Sequence, residues 1–331
     1  EQWYDGVDSD CDGFEDPMPC DDPPPTTTVA TLPACQYTPP VGSFDPQVEW
    51  QMSSFTEFSS YDQLMAQPVV ANLSDDNGDG LVDDLDIPDI LFCAFAGGGY
   101  GSPGVLRAIS GDGTGELWAV MDVGAGQIFA SGNIAVGDLE GDGLPEVVTM
   151  NSSGSPVCLT NDGQYLWTGN DAGGYNGASP AIADLDQDGT AEVIVGARIF
   201  AHDGTLEAEG AYGFGTNYSA YWYTSSAVAD VTGDGWLEVV AGNAIYDATG
   251  TAIWTNGLSD GNPAVADFDG DVGGEIVVIS SGTVRLQDDD GSVIWGPVSL
   301  AGGGGGGPPT IADYDGDGAP EIGVAGYGTY D

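Results

Sequence analysis

A loop of spaced acids, a glycine and a closing glutamate recurs down this chain at a nearly constant interval, and that recurrence constrains the fold more than any other feature. VGDLEGDGLPEVV carries Asp138, Glu140, Asp142 and Glu146, and IADLDQDGTAEVI carries Asp184, Asp186, Asp188 and Glu192. VADVTGDGWLEVV carries Asp230, Thr232, Asp234 and Glu238, and VADFDGDVGGEIV carries Asp267, Asp269, Asp271 and Glu275. IADYDGDGAPEIG carries Asp313, Asp315, Asp317 and Glu321. The leading aspartates are 46, 46, 37 and 46 residues apart. A longer, earlier copy begins at Asn72 and contains a twelve-residue loop of EF-hand type. Asp75, Asn77, Asp79, Asp83 and Asp86 take positions one, three, five, nine and twelve, with Gly80 at the turn, and the pattern resumes at Pro88-Asp89-Ile90. A period of this length marks an array of supersecondary units, none of which buries its apolar face alone.

Carboxylates packed so closely need a cation among them. Two of them about 4 Å apart repel by about 4 kcal/mol at an effective dielectric of 20. The chain has 53 acids against three arginines and no lysine, a net charge of −50, so the cation must come from outside. Side chains at positions one, three and five converge as the loop curls, and glycine at six permits the bend. The carbonyl at seven and the acid at nine complete the cage. Hard oxygen donors in a flexible loop select Ca²⁺, whereas Zn²⁺ takes His or Cys and Mg²⁺ demands stricter octahedral geometry. The acids are 40 Asp and 13 Glu, a bias toward the shorter ligand that general surface acidification does not require. Thr232 in place of an acid weakens its loop, and Val272 in place of glycine predicts a different bend there. The charge also excludes nucleic acid and direct membrane insertion or an anionic membrane surface as partners, and no apolar run reaches the ~18 residues of a transmembrane helix. Against the disorder that such a charge can signal, 41% of residues are hydrophobic and 10% aromatic.

Each acidic loop lies between two short apolar runs, such as PAIA and EVIVG. A second pair of runs follows in each repeat: LRAISGDGTGELW, VCLTNDGQYLW, RIFAHDGTLEA, AIYDATGTAIW and VRLQDDDGSVIW. Each reads as strand, glycine turn, strand, with Trp118, Trp167, Trp254 and Trp295 at equivalent places as packing residues. Four strands per repeat make a propeller blade. The expected fold is therefore all-β, a β-propeller of about six four-stranded blades, or seven if the natural chain continues. The metal loop joins strands one and two of each blade. Thr310 to Asp331 supplies three strands, and Pro46 to Trp50 supplies a fourth that closes the ring.

These loops and their spacing resemble the FG-GAP/VCBS repeat family, the calcium-loop propellers that include the integrin α-subunit head, over roughly Gln67 to Asp331. The resemblance implies a Ca²⁺-bearing propeller, usually extracellular and often used in adhesion. Ahead of it, residues 1–20 hold Asp8, Asp10, Asp12 and Asp16 around Gly13, and resemble the Cys- and Asp-rich metal-binding repeats of bacterial secreted proteins. Cys11 and Cys20 flank that loop as a candidate disulfide, while Cys35, Cys93 and Cys158 leave at least one thiol unpaired within the chain. Residues 21–43 form a Pro/Thr-rich linker, and 44–331 the propeller. The chain opens inside a motif, as a processed or partial piece of a longer protein would.

Function reads as a non-enzymatic adhesion or interaction module, extracellular or at the cell surface. The alternatives are a structural subunit of an extracellular filament or coat and, less favoured, a propeller enzyme acting on polysaccharide. There is one histidine, His202, no lysine and no G-x-S-x-G elbow. The clustered acids that a glycosidase would need are committed to metal loops. Arg107, Arg198 and Arg285 each stand five residues before the Asp of an Asp-Gly turn, which predicts repeated ion pairs with a neighbouring blade's acid. A protein or glycan partner, or a further copy of the chain, is expected on the face opposite the calcium loops. The long link AYGFGTNYSAYWYTSS brings Tyr221, Trp222 and Tyr223 to that face.

Overall fold

The computed structural model describes residues 47–101, 103–124, 126–169, 176–216, 223–225 and 227–326. The N-terminal acids Asp8, Asp10, Asp12 and Asp16, the cysteines Cys11, Cys20 and Cys35, and Tyr221 and Trp222 lie outside them. The chain divides into two compact units, residues 1–49 and 50–331, and every described strand belongs to the second.

Described residues form strands and turns with no helix, and every strand ladder is antiparallel. Sheet one contains β1 (Gln63–Leu64), β2 (Val69–Ala71), β3 (Asp89–Phe95), β4 (Val105–Ile109) and β5 (Glu116–Val120), with β1 and β2 pairing with opposite ends of β3. Sheet two runs β6 (Ala135–Gly137), β7 (Glu146–Met150), β8 (Pro156–Leu159) and β9 (Tyr165–Thr168). Sheet three runs β10 (Ala181–Ala183), β11 (Glu192–Val195), β12 (Arg198–Phe200) and β13 (Leu206–Glu209). Sheet four runs β14 (Ala227–Ala229), β15 (Glu238–Val240), β16 (Ala244–Tyr246) and β17 (Ala252–Thr255). Sheet five runs β18 (Asn262–Ala266), β19 (Glu275–Ser280), β20 (Thr283–Gln287) and β21 (Val293–Ser299). Sheet six has β22 (Thr310–Ala312) and β23 (Glu321–Gly323) among the described residues, where three strands were expected.

The first strands of successive sheets stand side by side, β2 by β6, β6 by β10, β10 by β14, β14 by β18 and β18 by β22. Sheets packed this way bury both faces, which explains why the inner strands read as continuous apolar runs rather than alternating ones. Alternate residues then serve opposite interfaces. Leu91 and Cys93 pack with Val147, Val157 and Leu159 of sheet two, and Val148, Met150 and Cys158 face Val193, Val195 and Phe200 of sheet three. Ile194 and Ile199 meet Val239 and Tyr246, and Val240 and Ile245 meet Ile276 and Val278. Cys93 and Cys158 are therefore core thiols, fully buried and unbridged.

Tryptophan explains why the turn between the third and fourth strands carries glycine. Trp118 of sheet one donates its indole N–H to Asn161 O of sheet two (2.8 Å), and Trp254 of sheet four donates to Asp289 O of sheet five (2.6 Å). Each ring lies on the turn glycine of the next sheet. A Cβ on Gly163 would stand 2.7 Å from Trp118, on Gly204 2.5 Å from Trp167, and on Gly291 2.6 Å from Trp254. Sheet three has no such tryptophan, and Ala208 fills the place against Gly250. Gly163→Ala therefore meets both a ring and a positive φ of 81°. We expect a loss of about 2–4 kcal/mol from left-handed strain and overpacking together, measured by urea denaturation. A loss under about 0.5 kcal/mol would show that the stack is loose.

At the N-terminal side, the described residues Gln47–Trp50 are not part of a strand. Trp50 nevertheless repeats the tryptophan contact, donating to Gly111 O at 3.0 Å and covering Gly113. Residues beyond it act as a packed strap. Trp50, Met52, Phe55 and Tyr61 cover Ile90, Phe92, Ala94 and Ile109, the face of sheet one turned away from sheet two. Arg107, 0% exposed in the middle of β4, fastens this strap. It pairs with Glu116 and donates to the carbonyls of Glu57 (2.8 Å), Phe58 (2.9 Å) and Tyr61 (3.3 Å), with Phe55 stacked 4.2 Å from its guanidinium. Among the described residues, the arginine ion pairs lie within a sheet rather than between neighbouring blades. Arg107 and Arg198 pair with an acid of their own sheet, Glu116 and Glu209, because the adjacent strand is the nearest carboxylate in reach. Arg285 instead donates to the backbone carbonyls of Gly242 and Ser259 and to Gln287.

Candidate functional site

The acidic loops leave the ends of the first strands and turn back into the second. Their shape is set by the leading aspartate, which accepts backbone N–H bonds across the turn. Asp138 takes Gly141 (2.8 Å), Asp142 (3.2 Å) and Gly143 (2.8 Å), and Asp313 takes Gly316 (2.6 Å), Asp317 (3.0 Å) and Gly318 (2.9 Å). The glycine at the sixth position bends with φ near 90°, as at Gly189 (93°) and Gly235 (90°). The fourth position is also left-handed, even where it is not glycine: Gln187 has φ 58°. Its carboxamide in turn donates to Gly235 O of the next loop at 2.8 Å, linking two loops along the rim. Val272 lacks the positive φ, and among the described residues its loop lacks the bond from position six to the leading Asp267.

The closing acid reaches back to the second residue of its loop. Glu146 accepts from Leu139 N (2.9 Å), Glu192 from Leu185 N (2.8 Å), Glu238 from Val231 N (2.7 Å), Glu275 from Phe268 N (2.5 Å) and Glu321 from Tyr314 N (2.8 Å). One carboxylate oxygen is thus fixed by the backbone; the other accepts from Thr232 Oγ1 in Glu238 and has no partner among the described residues in Glu275. Burial raises the pKa of Glu146, Glu192, Glu238 and Glu275. The backbone bond opposes that shift and the neighbouring acids add to it.

Four loops gather their acids into one place, each with ligand oxygens within 4.8 Å of one another. They are Asp184 with Asp186 and Glu192; Asp230 with Asp234 and Glu238; Asp267 with Asp269 and Glu275; and Asp313 with Asp315, Asp317 and Glu321. Asp188 and Asp271 are not in their groups; like Asp234 and Asp317, which are, each accepts a backbone N–H two residues on, from Thr190 (2.8 Å) and Gly273 (2.8 Å). Thr232 Oγ1 donates to Glu238 at 3.1 Å rather than standing apart as a ligand. Asp138, Glu140, Asp142 and Glu146 are not gathered, nor are Asp75, Asp79, Asp83 and Asp86 of the twelve-residue loop. In that loop Asp75 is held by the N–H groups of Gly78, Asp79 and Gly80, and Asp86 by those of Asp76, Asn77 and Asp83. Asn77 likewise accepts from Asp79 N at 2.9 Å.

The structure adds an acid that the motif alone does not mark. Asp89 pairs with Ala71 across sheet one as Glu146 pairs with Gly137 across sheet two, and it accepts from Leu73 N at 3.1 Å. It is the closing acid of the sheet's own loop, displaced along the sequence by the inserted turn. The clue was Pro88-Asp89-Ile90, where the repeat resumes. Asp288, Asp289 and Asp290 form a further group on the turn between β20 and β21.

A hard metal ion fits this donor set on two grounds. The ligands are all hard oxygens, and three buried ones have no protein donor: Asp89 Oδ1, Asn72 Oδ1 and Glu275 Oε1. Asp89 and Glu275 are each 0% exposed, so an unmet carboxylate oxygen there carries a desolvation cost that a cation would relieve. The protein alone can thus position oxygen ligands, and an ion would supply the positive charge that holds the acids of one loop together.

Comparison with known proteins identifies the repeat. Residues 138–195 match the FG-GAP-like repeat family. That FG-GAP-like segment spans two consecutive acidic loops and the sheet between them. Over 78% of its length the chain is similar to the V. cholerae biofilm matrix protein Bap1, with 28% identity and a TM-score of 0.66, and it covers 43% of that protein. A Bacillus licheniformis rhamnogalacturonan lyase is 21% identical, covering 70% of this chain and 46% of its own, with a TM-score of 0.47. BamB from Moraxella catarrhalis is 19% identical, covering 71% and 67%, with a TM-score of 0.44. No curated protein matches the sequence.

Proposed function

We propose that this chain is a calcium-loaded β-propeller that acts, without catalysis, as an adhesion or interaction module of an extracellular assembly. The observation that carries the reading is the recurrence of gathered, partly buried carboxylates at equivalent positions of successive sheets, one of which, Glu275, has an oxygen that no described protein group satisfies. Calcium at those positions fixes the loop that joins the first two strands of each blade. Support for a closed ring of six blades comes from the side-by-side first strands and from a cavity lined by both Gln67–Val69 of sheet one and Pro308 of sheet six. The likeness to a biofilm matrix protein supports an extracellular place and a role in holding material together. The chain spans 43% of that protein's length, so the role proposed is that of a module. Its partner, protein or glycan, meets the face opposite the calcium loops.

Three measurements test this reading. Calorimetric titration of the purified chain should show several calcium sites, and a chain that takes up no calcium overturns the proposal. Retention on a bacterial biofilm matrix should then depend on calcium. Light scattering at rising protein concentration separates a monomeric module from the filament subunit, for which mass would grow without limit.

A further inference from the structure

Two adjoining hollows, of about 360 and 450 Å³, share Asn133, Ser179, Ser225 and Pro308. These residues lead into first strands: Asn133 precedes β6, Ser179 precedes β10, Ser225 precedes β14 and Pro308 precedes β22. The acidic loops leave the other ends of the same strands, so the hollows open on the opposite face. In a chain with 53 acids, no charged side chain of the described residues lines either one.

What lines them instead is amide, hydroxyl and hydrocarbon. Asn133 Nδ2 donates to Ser179 Oγ at 2.7 Å, Ser179 N donates to Thr224 O at 2.8 Å, and Ser179 and Ser225 form a backbone bridge. Asn262 Nδ2 donates to Gly215 O at 3.1 Å. Bonds between successive sheets therefore hold these polar groups in place before any ligand arrives, which lowers the entropic cost of binding. Tyr223, half-exposed at 50%, and Pro308 add apolar surface.

We propose that this axial hollow binds a neutral sugar unit of a polysaccharide. The assignment rests on the interaction-module reading and names the ligand class of its partner face. A pyranose has hydroxyls that both donate and accept and a C–H face that packs on an aromatic ring, which matches neutral amides and hydroxyls beside Tyr223. An anion would meet the repulsion of a chain carrying −50, and a cation would find no carboxylate among the described residues of the hollow. Ligand pockets of about 300–1,000 Å³ enclose small units, whereas a stable protein partner requires a surface nearer 1,000 Å² in total.

The test uses the full chain in calcium, first on an array of neutral and acidic glycans and then by titration with the best neutral oligosaccharide. Binding should be unchanged by added salt, since no charge is involved. Tyr223→Ala should weaken it about tenfold without lowering the melting temperature. Asn133→Asp, which puts a charge into the hollow, should abolish it. Tyr223 stands exposed, so its variant stays informative if Asn133→Asp does not fold. Capture of acidic glycans alone, of a protein alone, or unweakened binding by Tyr223→Ala overturns the assignment. If neutral glycans fail while calcium-dependent retention on biofilm persists, the sugar site falls and the module reading stands. If retention fails as well, both fall.

Discussion

Stripping calcium from this protein should lower its melting temperature by tens of degrees. An ion bound only by the folded state stabilises it by about 2.7 kcal/mol at a hundredfold excess over its dissociation constant. Four gathered clusters then contribute on the order of 10 kcal/mol, comparable with the entire stability of an ordinary domain. Scanning calorimetry before and after exhaustive chelation measures this, and an unchanged transition after verified ion removal would sink it. The ion-free protein should also respond to pH in the reverse sense from the loaded one. Burial raises the pKa of Asp89, Glu146, Glu192, Glu238 and Glu275, so the folded chain keeps protons that the unfolded chain has released. The native state then binds more protons, and stability falls as pH rises from the ordinary carboxylate value through the raised one. Mild acid should stabilise the ion-free chain and destabilise the loaded chain, where protons compete with calcium. Matching slopes in the two forms would show that these carboxylates are not ligands.

Arg107→Ala should cost about 3–5 kcal/mol, the range for breaking a buried charge pair by removing one partner. The change strands Glu116, whose other oxygen accepts from Thr56 N (3.0 Å) and Glu57 N (3.1 Å), and it leaves three strap carbonyls without their donor. Arg198→Ala, whose partner Glu209 has a side chain 39% exposed, should cost less. Chemical denaturation compares the two. Limited proteolysis supplies a local readout, since loss of Arg107 should open the stretch from Trp50 to Tyr61 to cleavage. Equal losses for both variants, or a strap that stays protected, would show that Phe55 and its apolar neighbours hold the segment alone.

Much of this was legible in the sequence because it is local. The acidic loop declares itself within nine residues, and the hairpin after it within about a dozen. The spacing of Asp-Gly turns and tryptophans gives the strand order before any contact is known. What escaped detection depends on contacts far along the chain. Nothing near Phe55 signals that it stacks on Arg107, and nothing near Trp50 signals that it lies on Gly113. Asp89 was hidden for a different reason. The inserted loop offers a complete ligand pattern of its own, so Asp86 satisfies the motif before the sheet's own closing acid is reached. The arginines have a regular spacing to the turn but irregular partners: Arg107 and Arg198 meet a carboxylate on the adjacent strand, and Arg285 meets two backbone carbonyls and the Gln287 side chain.

The two core thiols turn the protein into its own reporter. Cys93 belongs to the interface between sheets one and two, and Cys158 to that between sheets two and three. Burial pushes the Cys93 thiol up to about 12 and Cys158 higher still, so neither reacts while its interface is shut. A thiol-specific label followed by mass spectrometry would time the opening of two successive seams separately in the unmodified chain. A stack of sheets that comes apart from one side would label the two in sequence, and one that fails as a whole would label them together.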